Sequence, residues 1–157
     1  MFEMFRGLPV HVLVVHSVVI LVPVAAVATL AVAVRPQWRR TFGPLVMLVA
    51  SGALVGVVAA MLSGRWLRGR LGYPEEYFRH GELGERVIWY VGPFWLLTAA
   101  FLLLDRRRAR DSRPPMVVTA LAVLAVLVGL ASMAQVIRTG EAGVESVWRA
   151  KLEQTPP

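Results

Sequence analysis

The sequence predicts an all-α integral membrane protein that folds as a four-helix bundle in a single domain, residues 1–157. Of its residues, 57% are hydrophobic, which exceeds the roughly one-half that is usual in soluble domains. The apolar residues fall into four runs, at residues 8–34, 44–63, 86–104 and 115–137. Each run is close to or longer than the about 20 residues that cross a bilayer as a helix. Four transmembrane helices joined by short polar segments are therefore expected.

Each run has features that support the assignment. The first contains Pro23, which lacks a backbone N–H and predicts a kink. The second has a small residue at every fourth position, a pattern that lets helices approach closely: Gly52, Gly56, Ala60 and Gly64. Polar segments at residues 64–85 and 105–115 bound the third run. In the fourth, Gly129 belongs to a similar small-residue stripe, and residues 138–157 are predicted to form a C-terminal tail.

Arginines predict the orientation of the bundle. They cluster in the two short segments after the first and third runs: Arg35, Arg39, Arg40, Arg106, Arg107, Arg108, Arg110 and Arg113. Because Lys and Arg are enriched in cytoplasmic loops, these segments are predicted to be cytoplasmic and both termini extracytoplasmic, in the cell (cytoplasmic) membrane. The net charge of +7 is thus explained by topology signals that contact the lipid bilayer, and no nucleic-acid partner is predicted.

Polar side chains are predicted to meet at one end of the bundle. We count inward from the cytoplasmic arginines, at about 1.5 Å per residue across a hydrocarbon core of about 30 Å. The count places four residues near the outer interface: His16, Ser63, Glu85 and Gln135. Three more lie slightly above it: His11, His80 and Glu141. A polar cluster at the outer membrane interface follows.

This cluster contains candidate ligands for a cofactor. Imidazole and carboxylate groups bind divalent metals, so the candidate metal ligands are His11, His16, His80 and Glu141, with Ser63, Glu85 and Gln135 as supporting polar groups. A single haem b held by His16 and His80 is a second option. However, positions five apart lie about 140° apart around a helix, so His11 and His16 do not share one face. The alternative is that both histidines are structural. No independent catalytic activity is predicted.

Four motifs resemble those of a known family: LPVHVLVVHSVVILVPVAA, SGRWL, RHGELG and GEAGVESVW. With them nearly the whole chain resembles the bacterial predicted-membrane-protein family called domain of unknown function 2231. The resemblance implies a four-helix membrane domain with His11, His16 and His80 on one side. The family's closing motif resembles Gly-His-Ser-Gly, whereas this chain has Glu141 at the histidine position. An oxygen ligand suits a zinc-like site better than an all-histidine copper or haem site.

Two functional hypotheses remain at this point. The first is a metal- or haem-binding redox accessory domain, which the resemblance favours because relatives are joined to Rieske or cytochrome c modules. It would act with other membrane or redox proteins. The second is a noncatalytic scaffold or assembly subunit of a larger membrane complex. It would associate with partners, or with further copies of itself, through the small-residue faces that contain Gly56 and Gly129.

Overall fold

Helices account for nearly all of the described chain. A computed structural model describes residues 4–5, 8–71, 78–107 and 115–153. The elements are the strands β1 (Met4–Phe5) and β2 (Leu8–Pro9) and the helices α1 (Val10–Val34), α2 (Pro36–Leu71), α3 (Phe78–Arg86), α4 (Ile88–Arg107) and α5 (Met116–Glu153). The strands pair as a short antiparallel hairpin before α1. Four segments are long and apolar enough to cross a membrane, with α3 and α4 together forming the third. The predicted all-helical class with four spans is confirmed.

The helices extend beyond the apolar runs that predict them. Residues 36–43, expected in a polar connection, already belong to α2, because Pro36 has the fixed φ that suits a first helical position. Residues 138–153, expected in a tail, continue α5. Arg and Leu favour helix whether or not lipid surrounds them, so hydropathy marks only the apolar part of each helix. Arg108, Arg110 and Arg113 lie outside the described residues.

The four long helices form a ring in which each packs on two neighbours. α1 packs against α2 and α5, and α4 packs against the same two helices. Three layers of buried apolar side chains fill the interior, and one member of each is Val22, Phe94 and Phe101. Many Val and Leu side chains on the outside are exposed, as expected for helices that contact lipid.

Glycines allow the close approach of neighbouring helices. A Cβ atom on Gly56 would lie 3.3 Å from both Ser17 Oγ and Val18 Cγ2 of α1, and one on Gly52 would lie 3.6 Å from Leu21 Cδ1. Ala60 packs against the first apolar layer. A Cβ on Gly129 would lie 2.9 Å from Phe94 Cε2 and 3.5 Å from the Ala26 Cβ. These positions hold α1 close to α2, and α5 close to α1 and α4.

A buried ion pair joins three helices at the end where α1 meets α2. Arg39 was expected in a positively charged loop, but its side chain is 7% exposed, and its Nη1 donates to Asp105 Oδ1 at 3.0 Å. Its Nε donates to the Val32 carbonyl at 3.0 Å, and its Nη2 to the Ala33 carbonyl at 2.7 Å. The Val32 carbonyl needs such a donor because its usual helical partner, residue 36, is a proline without an N–H. Arg39 thus caps the C-terminal end of α1 and connects this helix to α2 and α4.

Candidate functional site

A cleft of about 370 Å³ lies at the end of the bundle where α1 begins. Side chains from α1, α2, α3 and α5 surround it. Its walls are mainly apolar and include Val15, Val18, Val57, Met61 and Val136. Its polar lining comes from His11, Arg65, Arg68, His80, Glu85 and Thr139. The cleft therefore has an apolar body and one polar end.

His11 enters this cleft from the first turn of α1. Its Nδ1 lies 3.1 Å from Ser63 Oγ, and that hydroxyl donates to the carbonyl of Ala59 at 2.8 Å. With the serine proton directed at the Ala59 carbonyl, the hydroxyl oxygen is placed to accept from His11 Nδ1–H. A Cβ on Gly64 would lie 3.0 Å from His11 Cε1. Gly64 was expected to serve helix packing, and in the structure it leaves room for the imidazole.

His80 enters from α3 in a matching arrangement. Its Nδ1–H donates to the Thr139 carbonyl of α5 at 2.9 Å. A Cβ on Gly143 would lie 2.9 Å from His80 Nδ1, so this glycine also leaves room for a ring. The His11 and His80 ring centroids are 6.4 Å apart with an interplanar angle of 75°, an edge-to-face arrangement. The two imidazoles thus sit side by side at the polar end of the cleft.

Polar contacts fix α3 over the cleft. Gln135 is buried and its Nε2 donates to the Leu83 carbonyl at 3.1 Å, which fastens α3 to α5. Arg79 and Glu145 form an exposed ion pair between the same helices at 3.2 Å. On the other side, Glu85 accepts hydrogen bonds from Arg65 and Arg68 of α2. Since α3 carries His80, these contacts also set the position of that imidazole.

Both imidazoles are held in one tautomer. A neutral histidine that donates from Nδ1 carries its lone pair on Nε2. For His80 the partner is a carbonyl, which only accepts. For His11 the partner is a hydroxyl, which accepts when its own proton is directed at the Ala59 carbonyl. The neutral pair therefore offers two Nε2 acceptors at the polar end of the cleft.

The structure brings some of the predicted site residues together and separates others. His11, Ser63, His80 and Glu85 lie at the cleft, and Gln135 supports it from α5. His16 is exposed, and its Nδ1–H donates to the Val12 carbonyl of its own helix at 2.6 Å. The five-residue spacing from His11 explains its different face.

Glu141 is also exposed and does not line the cleft. Within residues 8–71, 78–107 and 115–153, no three His, Asp or Glu side chains form a group able to hold a metal ion. Of the four predicted metal ligands, only His11 and His80 line the cleft.

Aromatic residues of α2 indicate the depth of the cleft. Arg35 lies over the Trp38 ring at 4.8 Å and Arg70 over the Trp66 ring at 5.2 Å. The two tryptophans are 28 positions apart, which is about 42 Å of helix and matches the about 40–45 Å of a bilayer with its headgroups. Along α2, Gly64 lies just below the level of Trp66, and Val57 lies about 13 Å below the level of Trp66. This spacing matches a polar end at the level of the membrane interface and an apolar body at the level of the hydrocarbon.

The residues at the site that were not predicted from the sequence as site residues include Arg65, Arg68, Thr139 and Gly143. The motifs contain Arg65 and Gly143, whereas Arg68 and Thr139 lie directly beside a motif. SGRWL supplies Ser63, Gly64 and Arg65, RHGELG supplies His80, and GEAGVESVW supplies Gly143. All the motifs that carried the family resemblance thus contribute to one end of the bundle.

Comparison with known proteins agrees with this description. The model of the family described as predicted membrane protein (DUF2231) matches residues 7–156, which confirms the predicted resemblance. No curated protein and no solved structure matches the chain.

Proposed function

We propose a function for this chain from the premise that it belongs to DUF2231, a family of predicted membrane proteins whose model covers nearly all of it. The chain is a membrane-embedded binding protein. Its cleft takes up an amphipathic molecule, with the polar head beside His11 and His80 and the apolar part along α1, α2 and α5. The observation that carries this proposal is the match between the polarity of the cleft and its depth in the bilayer.

The size of the cleft suits a small molecule. Ligand sites in proteins have volumes of roughly 300–1,000 Å³ and are mainly apolar, with a few placed polar groups. At about 370 Å³ the cleft holds a ring or headgroup with the first part of a chain. An amphiphile places its apolar part along the apolar body and its head at the polar end, so it satisfies both parts of the cleft at once.

Gly140 offers a direct test. It lines the cleft, and a Cβ at this position would meet no atom within 4 Å, so a larger side chain fits without displacing the protein. Gly92 of α4 has the same free space but does not line the cleft. We expect Gly140→Leu to fill the cleft and Gly92→Leu to leave it open. Both substitutions replace a helical glycine by a good helix former, so neither is expected to unfold the protein.

The measurement is mass spectrometry of small molecules that copurify with each protein in lipid nanodiscs. A species bound near one per chain in the wild type and Gly92→Leu, reduced at least tenfold in Gly140→Leu, supports the proposal. The proposal is refuted if Gly140→Leu retains every species that the wild type retains. It is equally refuted if the wild type retains only the bulk lipid of the disc.

A metal- or haem-binding redox accessory domain is the second candidate. One observation favours it: histidines that bind metals through Nε2 usually donate Nδ1–H to a carbonyl or similar acceptor, and both His11 and His80 do so. Two imidazoles supply only part of a coordination shell, so water or a bound molecule would complete it. Elemental analysis and a visible spectrum of the protein purified from membranes test this candidate. A colourless and metal-free preparation would eliminate it.

The scaffold hypothesis and the orientation stay predictions. A scaffold predicts copurifying protein partners, and loss of those partners when Gly56 is replaced by a bulky residue. The arginines at the Trp38 end of the bundle, which come from the junction of α1 and α2 and from the end of α4, predict that the cleft end is extracytoplasmic: Arg35, Arg39, Arg40, Arg106 and Arg107. Labelling of single cysteines introduced at exposed Arg79 and Arg40, in intact cells and in permeabilised cells, tests the orientation. The reverse labelling pattern would invert it.

A further inference from the structure

We infer that the molecule bound in the cleft carries a hydroxyl-bearing head that donates hydrogen bonds to His11 and His80. The inference rests on the proposed function and specifies the chemistry of its ligand. It predicts that the cleft distinguishes an aromatic diol from the corresponding dione, two molecules of nearly equal shape. The diol has two donors, whereas the dione has only acceptors.

The first step is the inventory of donors and acceptors at the polar end. Both imidazoles have used their Nδ1 protons on the protein, so each offers only an Nε2 lone pair. The Thr139 hydroxyl also has its proton engaged, since it donates to the Gln135 carbonyl at 2.8 Å. Its oxygen therefore adds another acceptor. The groups between the two rings and α5 thus accept hydrogen bonds and do not donate them.

The second step concerns the donors at the rim. Arg65 and Arg68 line the cleft, and each donates to the Glu85 carboxylate, whose charge partly offsets theirs. A carbonyl or anionic head would share these guanidinium groups with that carboxylate. A hydroxyl head instead pairs with His11 and His80, which also line the cleft.

The third step is the magnitude of the selectivity. A site built to bind a hydroxyl discriminates strongly against an analogue that lacks it, because its own polar groups are then left unpaired. With one imidazole acceptor contributing a hydrogen bond, about a threefold preference is expected, and with both acceptors at least about a tenfold preference. Several compounds share this chemistry, including a hydroquinone with an alkyl tail and a glycerol monoether lipid, and the experiment separates them.

The experiment measures binding to the purified protein in nanodiscs that contain only a saturated phosphatidylcholine. Four probes with the same ten-carbon tail are titrated: an alkyl hydroquinone, the matching quinone, an alkyl glycerol ether and the alkane. The inference expects a hydroxyl probe to bind at least tenfold more tightly than the quinone. Tighter binding of the hydroquinone identifies an aromatic diol as the ligand class, and tighter binding of the glycerol ether identifies a lipid headgroup.

Substitutions of His80 provide the control for folding. Asparagine places an amide nitrogen near the Nδ1 position, so His80→Asn keeps a donor for the Thr139 carbonyl but removes the Nε2 acceptor. Glutamine places its amide oxygen near the Nε2 position, so His80→Gln keeps that acceptor. In His80→Asn we expect the preference for the hydroxyl probes over the quinone to fall to threefold or less, about the value set by the remaining histidine. In His80→Gln we expect this preference to persist. The exposed histidine variant His16→Ala is the matched control and keeps wild-type selectivity.

The outcomes separate this inference from the proposed function. If the quinone binds as tightly as the hydroxyl probes, or more tightly, the hydroxyl inference is wrong and the cleft still binds amphiphiles. If all four probes bind alike in the wild type and in Gly140→Leu, the proposed function itself is wrong. Loss of selectivity in His16→Ala would also overturn the assignment of the acceptors to His11 and His80.

Discussion

Replacement of Arg39 by methionine is expected to destabilise the bundle strongly. The side chain is 7% exposed and Asp105 is 3% exposed, so both charges lie in a region of low dielectric. Breaking such a pair by removing one partner typically costs about 3–5 kcal/mol, since the remaining charge stays buried without its counter-charge. Methionine keeps much of the packing against Phe101, whose ring lies 5.0 Å from the Arg39 guanidinium. The loss therefore reports the polar contacts more than the volume.

Two further hydrogen bonds of Arg39 add to the stability that is lost in Arg39→Met. Arg39 also donates to the Val32 and Ala33 carbonyls at the end of α1. A buried acceptor left without its donor costs about 1–3 kcal/mol. We therefore expect Arg39→Met to lose at least about 3 kcal/mol. Asp105→Asn should lose less, about 1–3 kcal/mol, because Arg39 keeps both carbonyl acceptors.

The assay is reversible unfolding in mixed micelles titrated with sodium dodecyl sulfate and followed by circular dichroism. The double variant Arg39→Met with Asp105→Leu should lose less than the sum of the losses of Arg39→Met and Asp105→Leu measured singly, because each single variant leaves one buried charge unpaired and the double variant leaves none. Arg40→Met, at the exposed neighbouring position, should change the free energy of unfolding by no more than about 0.5 kcal/mol. Equal effects of Arg39→Met and Arg40→Met on the free energy of unfolding would contradict this expectation. A double variant whose loss equals the sum of the two single losses would also contradict it.

Three other predictions use the same unfolding assay. Gly129→Ala should lose about 1–3 kcal/mol, because the new Cβ would lie 2.9 Å from the Phe94 ring. Gly92→Ala, with no atom within 4 Å, should gain up to about 1 kcal/mol from helix propensity, and equal effects at the two glycines would contradict the packing described. Among the described residues, Thr29 and Thr98 have buried hydroxyls without a hydrogen-bond partner. Thr29→Val and Thr98→Val should each leave stability unchanged or raise it by about 1 kcal/mol, and a loss of that size would show that the hydroxyl has a partner.

The membrane-spanning architecture was readable from the sequence because one physical property decides it. Apolar runs long enough to span the hydrocarbon have few alternatives to a helix, since every backbone polar group must be paired within the segment. The same property explains the errors at the ends of the helices. Beyond the apolar run, hydropathy no longer reports on residues 138–153, and their helical structure depends on propensity and on contacts with α3, which Thr139 and Glu145 make.

The sequence predicted at which end of the bundle the candidate site lies, but not which residues form it. Counting residues placed His11 and His80 at one end of the bundle, because depth follows from helix rise alone. It could not distinguish His16, which is at a similar depth, since the side facing the bundle depends on how α1 is rotated against its neighbours. The burial of Arg39 was unreadable for a related reason. The position of Arg39 next to a predicted loop does not indicate that Asp105, 66 positions later in the chain, lies beside it.

The exposure of two cleft residues determines how a ligand arrives. Val12 and Val19 line the cleft, yet they are 39% and 46% exposed. In the function proposed above, exposed apolar residues at the cleft favour entry of the ligand from the lipid. The ligand would then arrive by two-dimensional diffusion among lipids, and occupancy would follow its mole fraction in the membrane and not its concentration in water. Adding empty lipid vesicles that exchange ligand with the membrane would empty the site at constant protein and ligand.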